Sequence, residues 1–177
     1  MKDIYFITSN KNKAQEASVF LGFQLRQKNI DLPEIQDLDV LAVSKHKALM
    51  AFEIVGKPLF VEDTGLYIEE LNGFPGAFAK MAVQTLGVEK IAGLVSGPSS
   101  AYAKTVITYH DGKVIRQFIG EKRGVIQKNP RGKNNFGWDP IFQPEGEIKT
   151  YAEMTKKQKV AVSHRTKAFA KFKKFFT

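Results

Sequence analysis

The sequence lacks cysteine altogether and has only three histidines and one tryptophan among its 177 residues. Without cysteine the chain can form neither disulfides nor a thiolate metal site, which is compatible with a reducing compartment. No apolar run approaches the roughly 18 to 20 residues that a membrane-spanning helix requires, and the run in "MKDIYFITSN" is too short for a secretory signal. We therefore expect a soluble intracellular protein, located in the cytoplasm, with no membrane partner.

The residues that are present suit a single globular domain. Hydrophobic residues make up 43% of the chain and charged residues 25%, which is enough apolar material for a buried core. The formal net charge is +9, but residues 1–70 contain 8 Lys/Arg and 11 Asp/Glu, whereas residues 108–177 contain 16 and 6. This asymmetry indicates a basic surface that attracts nucleic acid or a phosphorylated small ligand, or else a solvated basic face without a ligand.

Strand-like and helix-like segments alternate along the chain. Two helical segments are closed by Gly22 and Gly56, and an Asp111-Gly112 pair between two alternating segments is a strong hairpin signal. We predict strands over 4–8 and 58–63 and helices over 10–22, 41–56 and 87–97. Helices between strands, together with an antiparallel hairpin, predict an α/β domain with a mixed central sheet flanked by helices.

The last segment, "SHRTKAFAKFKKFF" (163–176), has the clearest helical pattern. Ser163 is placed to cap its N-terminus. Helical spacing puts five apolar residues on one side and three lysines on another: Ala168, Phe169, Phe172, Phe175 and Phe176, against Lys167, Lys171 and Lys174. We expect the aromatic stripe to dock on the core, although a helix lying on a membrane surface would have a similar composition.

The stretch "TSNKNK" (8–13) carries a strand-like segment into a helix through short polar residues and two lysines. Backbone N–H groups at a helix N-terminus bind anions, and Lys11 or Lys13 would add a positive charge. The stretch lacks the glycines of a Walker A loop. From the residues alone, a phosphate cradle and an ordinary capped turn are both open.

The stretch "LFVEDTGL" (59–66) places Glu62 and Asp63 at the end of an apolar run, with Thr64 and Gly65 expected to form a turn. Adjacent strand residues point to opposite faces, so one carboxylate should face a ligand and the other a neighbouring element. Glu34 in "PEIQ" is a third candidate carboxylate. Magnesium favours one or two such groups together with phosphates and water, while a solvated strand end with surface ion pairs is the alternative.

Two later stretches contain candidate base-binding groups. In "NNFGWDPIF" (134–142), Trp138 lies in a rigid turn with a neighbouring carboxylate, so it could stack on a base or fill the core beneath the turn. In "KVAVSHR" (159–165), His164 and Arg165 begin the final helix. A single histidine near an apolar stretch is more often structural than catalytic.

Taken in order, these motifs resemble those of the inosine triphosphate pyrophosphatase family. The resemblance covers nearly the whole chain and rests on "ITSNKNKAQE", "PEIQ", "FVEDTGL", "LNGFPGAFAK", "FGWDPIF", "TYAEMTKKQK" and "AVSHR". It implies one domain over residues 1–177, made of two lobes with the active-site cleft between them, and a homodimer. It also implies magnesium-dependent hydrolysis of ITP, dITP and XTP to the monophosphate and pyrophosphate, with no requirement for nucleic acid.

The resemblance also implies roles for individual residues. Asp63 is the expected catalytic residue and shares the metal with Glu34, while Glu62 has a supporting role. Arg165 or backbone amides are the expected donors to the 6-oxo group of the base. The nucleotide-binding residues would be Thr8, Ser9, Asn10, Lys11, Asn12, Lys13, Lys47, Asp63, Thr64, Lys80, Phe136, Gly137, Trp138, Asp139, Lys159, His164 and Arg165.

The chain departs from the common family pattern at three places. "TSN" replaces "TGN" in the first loop, "GAFAK" replaces a "SARY"-like segment so that Lys80 stands in for an arginine, and the spacing between Glu34 and Lys47 varies among relatives. Two other classes of function are also consistent with the residues. The basic C-terminal segment fits a nucleic-acid-binding module, and the same motifs fit a nucleotide-binding protein without turnover.

Overall fold

The computed structural model describes residues 4–134 and 136–176, apart from the side chains of Asn12 and Gln15. Its strands are β1 (Tyr5–Ile7), β2 (Arg26–Lys28), β3 (Leu59–Ile68), β4 (Pro75–Gly76), β5 (Ser99–His110), β6 (Ile115–Ile126) and β7 (Phe142–Pro144). Its α-helices are α1 (Lys11–Leu21), α2 (Val40–Val55), α3 (Ala79–Leu86), α4 (Val88–Gly93), α5 (Lys156–Val162) and α6 (His164–Phe176). Short 3-10 helices span Glu69–Leu71 and Tyr151–Glu153.

The seven strands of the described residues form one mixed sheet in the order β2-β1-β3-β5-β6-β7, with β4 paired to β3. β1 runs parallel to β2 and β3, whereas the pairs β3–β5, β5–β6 and β6–β7 are antiparallel. The long β5–β6 hairpin turns at Asp111 and Gly112, where the sequence predicts it. The predicted α/β fold with a mixed sheet is therefore confirmed.

Strand β3 is longer than the predicted strand over 58–63, and the predicted turn at Thr64 and Gly65 is wrong. β3 pairs with β5 continuously from Leu59 opposite His110 to Ile68 opposite Ala101. The two threonine hydroxyls of Thr64 and Thr105 lie 2.8 Å apart across this pair. Because the antiparallel partner supplies backbone hydrogen bonds along the whole length, the acidic residues lie within a strand and not at its end.

Side chains of β3 alternate between two apolar layers, as a buried strand requires. Phe60 packs with residues of α1 and α6, whereas Leu59 and Val61 pack with residues of α2 on the opposite face. Glu62 continues the first set and Asp63 the second. The two carboxylates do contact different elements, as the contacts described below show. Both nevertheless line the same cavity, so the prediction that only one of them faces a ligand site is wrong.

The helix ends agree with the capping residues of the sequence. Asn10 caps α1 and Gly22 ends it in a left-handed conformation, while Asp39 and Gly56 do the same for α2. The helix predicted over 87–97 is shorter and ends at Gly93. β2, α3 and β7 are not among the predicted elements; β2 is a three-residue strand with exposed side chains, which has no apolar pattern to reveal it.

Helix α6 docks its aromatic stripe on the sheet, as predicted. Ala168, Phe169 and Phe172 are buried with Phe6 and Phe60, and the lysines on the other side are exposed. The Oγ of Ser163 accepts a hydrogen bond from the backbone N–H of Thr166 at 3.1 Å, which confirms the predicted cap. Because the stripe is used in the core, a membrane-surface role for α6 is excluded. No helix in the described ranges is long and apolar enough to cross a membrane.

Gly120 of β6 allows α6 to approach the sheet closely. A Cβ added there would lie 1.9 Å from the carbonyl oxygen of His164 and 2.4 Å from the backbone nitrogen of Ala168. Both are backbone atoms of a helix packed on the core, so neither can move aside without displacing the helix. Gly120 thus determines where the first turn of α6 lies.

We expect Gly120→Ala to destabilise the protein by about 2 kcal/mol or more, because overpacking at a helix–sheet contact forces backbone shifts. Urea unfolding measures the change. Gly93→Ala is the matched control, since a Cβ at Gly93 meets no atom within 4 Å. Equal stability of the two variants would contradict the close-approach argument.

Candidate active site

The central strand β3 has an open stretch of edge next to β1. β1 pairs only with Leu59 and Phe60, and β4 pairs only with Leu66 and Tyr67. Among the strand pairings of the described residues, none covers positions 62–65 on this side. The backbone carbonyl of Glu62 instead accepts a hydrogen bond from the Nζ of Lys13 at 3.5 Å. The early end of β1 therefore leaves polar groups of β3 accessible to side chains and ligands.

A cavity of about 1270 Å³ lies at this open edge. It brings together most of the site residues that the sequence predicts. Lys11 is not among its lining residues, and the side chain of Asn12 lies outside the described part of the chain. The predicted residues that line it are Thr8, Ser9, Asn10, Lys13, Glu34, Lys47, Asp63, Thr64, Lys80, Phe136, Gly137, Trp138, Asp139, Lys159, His164 and Arg165.

The N-terminus of α1 opens onto the cavity. The Asn10 side chain accepts a hydrogen bond from the backbone N–H of Lys13 at 3.1 Å, and the Thr8 hydroxyl accepts one from the N–H of Asn10 at 3.1 Å. The stretch is therefore an N-capped turn, one of the two readings that the sequence left open. A capped turn also directs helical N–H groups toward an anion, so the geometry is compatible with the phosphate cradle as well.

Glu62 is the most buried carboxylate of the site, with a side chain only 1% exposed. The Nε and Nη2 of Arg165 donate to its two oxygens at 2.9 and 2.8 Å, and the Nζ of Lys13 lies 3.3 Å away. Arg165 also forms an ion pair with Glu16 and a hydrogen bond to the carbonyl of Lys13, and its guanidinium lies over the ring of Phe169. Glu62 therefore joins β3 to α1 and α6, in keeping with a supporting role.

The cations around Glu62 control its protonation. Burial alone would raise the pKa of Glu62, but Lys13 and Arg165 outweigh burial and hold this pKa below its ordinary value of 4.5. For Arg165, burial alone would lower the pKa, but Glu62 and Glu16 raise it. Both groups are thus charged at neutral pH, and their bidentate geometry is the arrangement in which a buried ion pair is strongest.

Asp63 and Glu34 share a single ammonium. The Nζ of Lys47 lies 2.5 Å from Asp63 Oδ1 and 2.7 Å from Glu34 Oε1. Burial alone would lower the pKa of Lys47, but the charges and hydrogen bonds of Asp63 and Glu34 raise it above its ordinary value. Asp63 Oδ2 is buried and has no hydrogen-bond partner among the described residues. The loop before α2 thus brings Glu34 to Asp63, across 29 positions of sequence.

Lys159 and Asp139 form the polar part of an aromatic wall. The two side chains make a short ion pair, and the ammonium lies 5.2 Å from the ring centroids of both Phe136 and Tyr151. Burial raises the pKa of Asp139 above its ordinary value in spite of Lys159. Phe136 is 57% exposed and lines the cavity, so its ring is available for stacking.

Trp138 and His164 belong to both the core and the cavity. Trp138 packs edge-on against Phe142, with ring centroids 5.4 Å apart, and its ring lies 5.5 Å from that of His164. His164 Nδ1 lies 3.4 Å from the Tyr151 hydroxyl. Burial lowers the pKa of His164 to about 3, so the imidazole is neutral at physiological pH. This buried environment agrees with the expectation that a single histidine is structural.

One contact partner in this site was missed by the sequence reasoning. Glu16 lines the cavity and pairs with Arg165 and, at 3.7 Å, with Lys156. It follows Lys13 by three positions, so both side chains lie on the same side of α1. That spacing could have indicated that Glu16 lies in the site. Its partner Arg165 could not be predicted, because that contact depends on α6 packing next to α1.

We expect Glu62→Gln to reduce the free energy of unfolding by about 3 kcal/mol at neutral pH, because it leaves the buried Arg165 without a full counter-charge. The folded-state pKa of Glu62 is depressed, so its stabilisation is present above pH 4.5 and is lost as pH falls below that value. The difference in the free energy of unfolding between wild type and variant should therefore be constant above pH 4.5 and should become smaller below it. Denaturant unfolding at a series of pH values measures this difference.

Glu53→Gln is the matched control, because Glu53 is an exposed residue of α2. We expect its unfolding free energy to stay within about 0.5 kcal/mol of wild type at every pH, as is usual for surface substitutions. Two outcomes would contradict a buried Glu62–Arg165 pair. One is a loss of unfolding free energy in Glu62→Gln that is as small as that in Glu53→Gln; the other is a loss that grows as the pH falls.

Comparisons with known proteins agree with this architecture. A profile of the Ham1 family matches residues 4–175. The chain is 40% identical over 174 residues to a dITP/XTP pyrophosphatase of Saccharolobus solfataricus, covering 96% of this chain and 91% of that protein. It is 42% identical over 186 residues to an inosine triphosphate pyrophosphatase of Candida glabrata, covering 98% and 96%. The structure of a HAM1 protein from Coxiella burnetii matches with a TM-score of 0.85 at 28% identity, over 99% and 98% of the two chains. The chain therefore belongs to the Ham1 family.

Proposed function

We propose that this chain is a nucleoside triphosphate pyrophosphatase that hydrolyses ITP, dITP and XTP to the nucleoside monophosphate and pyrophosphate. In this role it would keep deaminated purine nucleotides out of DNA and RNA. The observation that carries the proposal is that a lysine–carboxylate set and an aromatic–lysine set line one cavity. The first suits a triphosphate and its cation, and the second suits a purine base. The two relatives, a dITP/XTP pyrophosphatase and an inosine triphosphate pyrophosphatase, support the same assignment.

The triphosphate is the natural ligand of the first set. Lys13, Lys47 and Lys80 line the cavity together with the N-terminus of α1. Ammonium groups and helical N–H groups both stabilise phosphate oxygens, and they do so more strongly where water is excluded. The proposed role of these groups is to hold the phosphates and to stabilise the negative charge that builds on the departing pyrophosphate.

The residues present fit a magnesium ion held by Asp63 and Glu34. Both are carboxylates, the ligand type that magnesium prefers, and the buried Asp63 Oδ2 lacks a partner among the described residues. No group of three or more His, Asp or Glu side chains in the described ranges is arranged as metal ligands, so phosphates and water would complete the coordination. Bound there, magnesium would neutralise phosphate charge and activate a water molecule.

In the proposed reaction a water oxygen bonds to the α-phosphorus while the bond from that phosphorus to the β-phosphate bridging oxygen breaks. The products are the monophosphate and pyrophosphate, and the water proton is released. Asp63 is the residue that we assign to orienting the reacting water, which it would do through its place in the metal site. Lys47, which contacts Asp63, would stabilise the negative charge that develops on the β- and γ-phosphates.

Lys159 is the donor that the geometry favours for the 6-oxo group of hypoxanthine or xanthine. Its ammonium lies over the ring of Phe136, 5.2 Å from the centroid, and its one hydrogen bond to a described residue, Asp139, leaves two of its three N–H donors for a base. The guanidinium of Arg165, the donor expected from the sequence, is instead occupied by Glu62 and Glu16. A donor facing the 6-position is mismatched by the 6-amino group of adenine, and such hydrogen-bonding sites reject the wrong partner by roughly 10⁴-fold.

The finer features implied by the family resemblance are part of the same proposal. The chain would be one domain of two lobes, with the cavity as the cleft between them, and it would act in the cytoplasm. It would also form a homodimer, which light scattering should show as a mass about twice the 19.9 kDa of the chain.

We expect purified protein to release pyrophosphate from ITP, dITP and XTP in the presence of magnesium, and to act far more slowly on ATP. GTP belongs in the same panel because it also carries a 6-oxo group. Nucleoside monophosphate and pyrophosphate are measured by chromatography with and without chelator. Release of orthophosphate in place of pyrophosphate, or equal rates on ITP and ATP, would contradict the proposal.

Asp63→Asn should lower kcat by about 100-fold or more, because it removes the charge that orients the reacting water and binds the cation. The variant should remain folded, because it removes no core packing and Glu34 still pairs with Lys47; circular dichroism checks this. Asp111→Asn, in the β5–β6 turn, is the matched control and should retain turnover. Near-normal turnover of Asp63→Asn would show that Asp63 has another role.

Lys159→Met tests the assignment of base recognition. It removes the donor but keeps an apolar stem beside Phe136 and Tyr151. We expect the ratio of kcat/KM for ITP to that for ATP to fall roughly tenfold or more, the effect of losing one hydrogen bond used for discrimination. An unchanged ratio with uniformly reduced rates would assign Lys159 to general binding.

A further inference from the structure

The ammonium of Lys47 lies between the two carboxylates that the proposed function assigns to the metal. Its Nζ is 2.5 Å from Asp63 Oδ1 and 2.7 Å from Glu34 Oε1. The Lys47 and Asp63 side chains are only 17% and 13% exposed, so water screens this contact weakly, whereas Glu34 is 64% exposed. One positive group thus bonds to both carboxylates and offsets part of their combined negative charge.

The same two carboxylates are the ones that would hold the metal. A divalent cation bound to Asp63 and Glu34 would repel an ammonium that still contacts both of them, and the carboxylate oxygens facing Lys47 cannot serve both cations. A metal ion on the oxygens that face Lys47 would have to displace its ammonium, and one bound through the unpartnered Asp63 Oδ2 would still be repelled by that ammonium. Displacing a charged group from a sparsely exposed ion pair without a new partner is costly.

We propose that Lys47 is an internal counter-ion of the metal site, which holds Glu34 and Asp63 until a metal–triphosphate complex enters. The triphosphate then supplies the negative oxygens to which the ammonium transfers. This inference rests on the proposed function, because it takes the triphosphate as the ligand. Its consequence is that the chain binds free divalent metal weakly and binds metal and triphosphate cooperatively, since each favours the same displaced position of Lys47.

The side-chain chemistry suits this exchange. A lysine is a compact charge on a flexible stem of four carbons, so its ammonium can move between partners while its backbone stays in α2. The other paired lysines of the cavity are held differently. Lys13 contacts the buried Glu62, Lys159 contacts the buried Asp139 and Lys156 contacts Glu16, so none of them bridges Asp63 and Glu34. Lys80 lines the cavity and forms no ion pair with any described residue.

The test measures the binding of Mn²⁺ to the nucleotide-free protein. The electron paramagnetic resonance signal of free Mn²⁺ reports how much of the ion remains unbound. We expect Lys47→Met to bind Mn²⁺ roughly tenfold or more tightly than wild type, because the competing positive charge is gone. Lys80→Met removes the same charge from the cavity without touching Asp63 or Glu34, and it should resemble wild type. Lys47→Arg, which keeps a charge, should also stay near wild type.

Equal Mn²⁺ affinity in Lys47→Met and Lys80→Met would overturn the inference. The contacts of Lys47 with Asp63 and Glu34 would then have no influence on Mn²⁺ affinity beyond the loss of one positive charge from the cavity. If all four proteins bind Mn²⁺ equally tightly, only this inference falls, and pyrophosphate release from ITP still decides the proposed function. If none of them binds Mn²⁺, Lys47→Met included, both the metal assignment and the inference fall.

A second measurement on the wild-type protein is independent of how well Lys47→Met folds. With ¹⁵N-labelled lysine side chains, the Lys47 ammonium should give a resonance that is identified by its loss in Lys47→Arg. Saturating Mg²⁺ together with a non-hydrolysable triphosphate should shift this resonance, whereas Mg²⁺ alone at the same concentration should leave it in place. A resonance that moves fully with Mg²⁺ alone would overturn the counter-ion role.

Discussion

The buried ion pair between Glu62 and Arg165 is the contact on which the arrangement of the site depends. It joins the central strand β3 to the first turn of α6, and Lys13 and Glu16 extend it to α1. Three segments that are far apart in sequence are thereby held around one carboxylate. Because an unpaired charge in this position would be costly, the pair favours the arrangement in which all three segments reach it.

This contact is possible because β1 ends after three residues while β3 continues. The uncovered edge leaves room for the Lys13 side chain, for the N-terminus of α1 and for the cavity. Alternation along β3 then sends Glu62 toward α1 and α6 and Asp63 toward α2. Alternation along β3 thus separates the carboxylate that pairs with Arg165 from the one that pairs with Lys47, although the two are neighbours in the chain.

The same separation explains how an overall basic chain accommodates its acidic residues. Glu62, Asp63 and Asp139 each pair with a cation that also lines the cavity: Arg165, Lys47 and Lys159, respectively. A triphosphate needs positive groups and its metal needs carboxylates, so both kinds of charge belong in one site. Pairing them in the absence of ligand lowers the cost of burying either one.

Local features of the sequence determined the helix caps at Asn10 and Gly22, the β5–β6 turn, the aromatic stripe of α6 and the motifs that indicate the family. Each depends on backbone preference or periodicity over a few residues, which a single sequence contains. Only the tertiary structure decided the length of β3, the commitment of Arg165 to Glu62 and Glu16, and the position of Lys47 between Asp63 and Glu34. These depend on which distant segments meet. An antiparallel partner extends β3 beyond its apolar run, and a charged side chain bonds to whichever opposite charge the fold brings within reach.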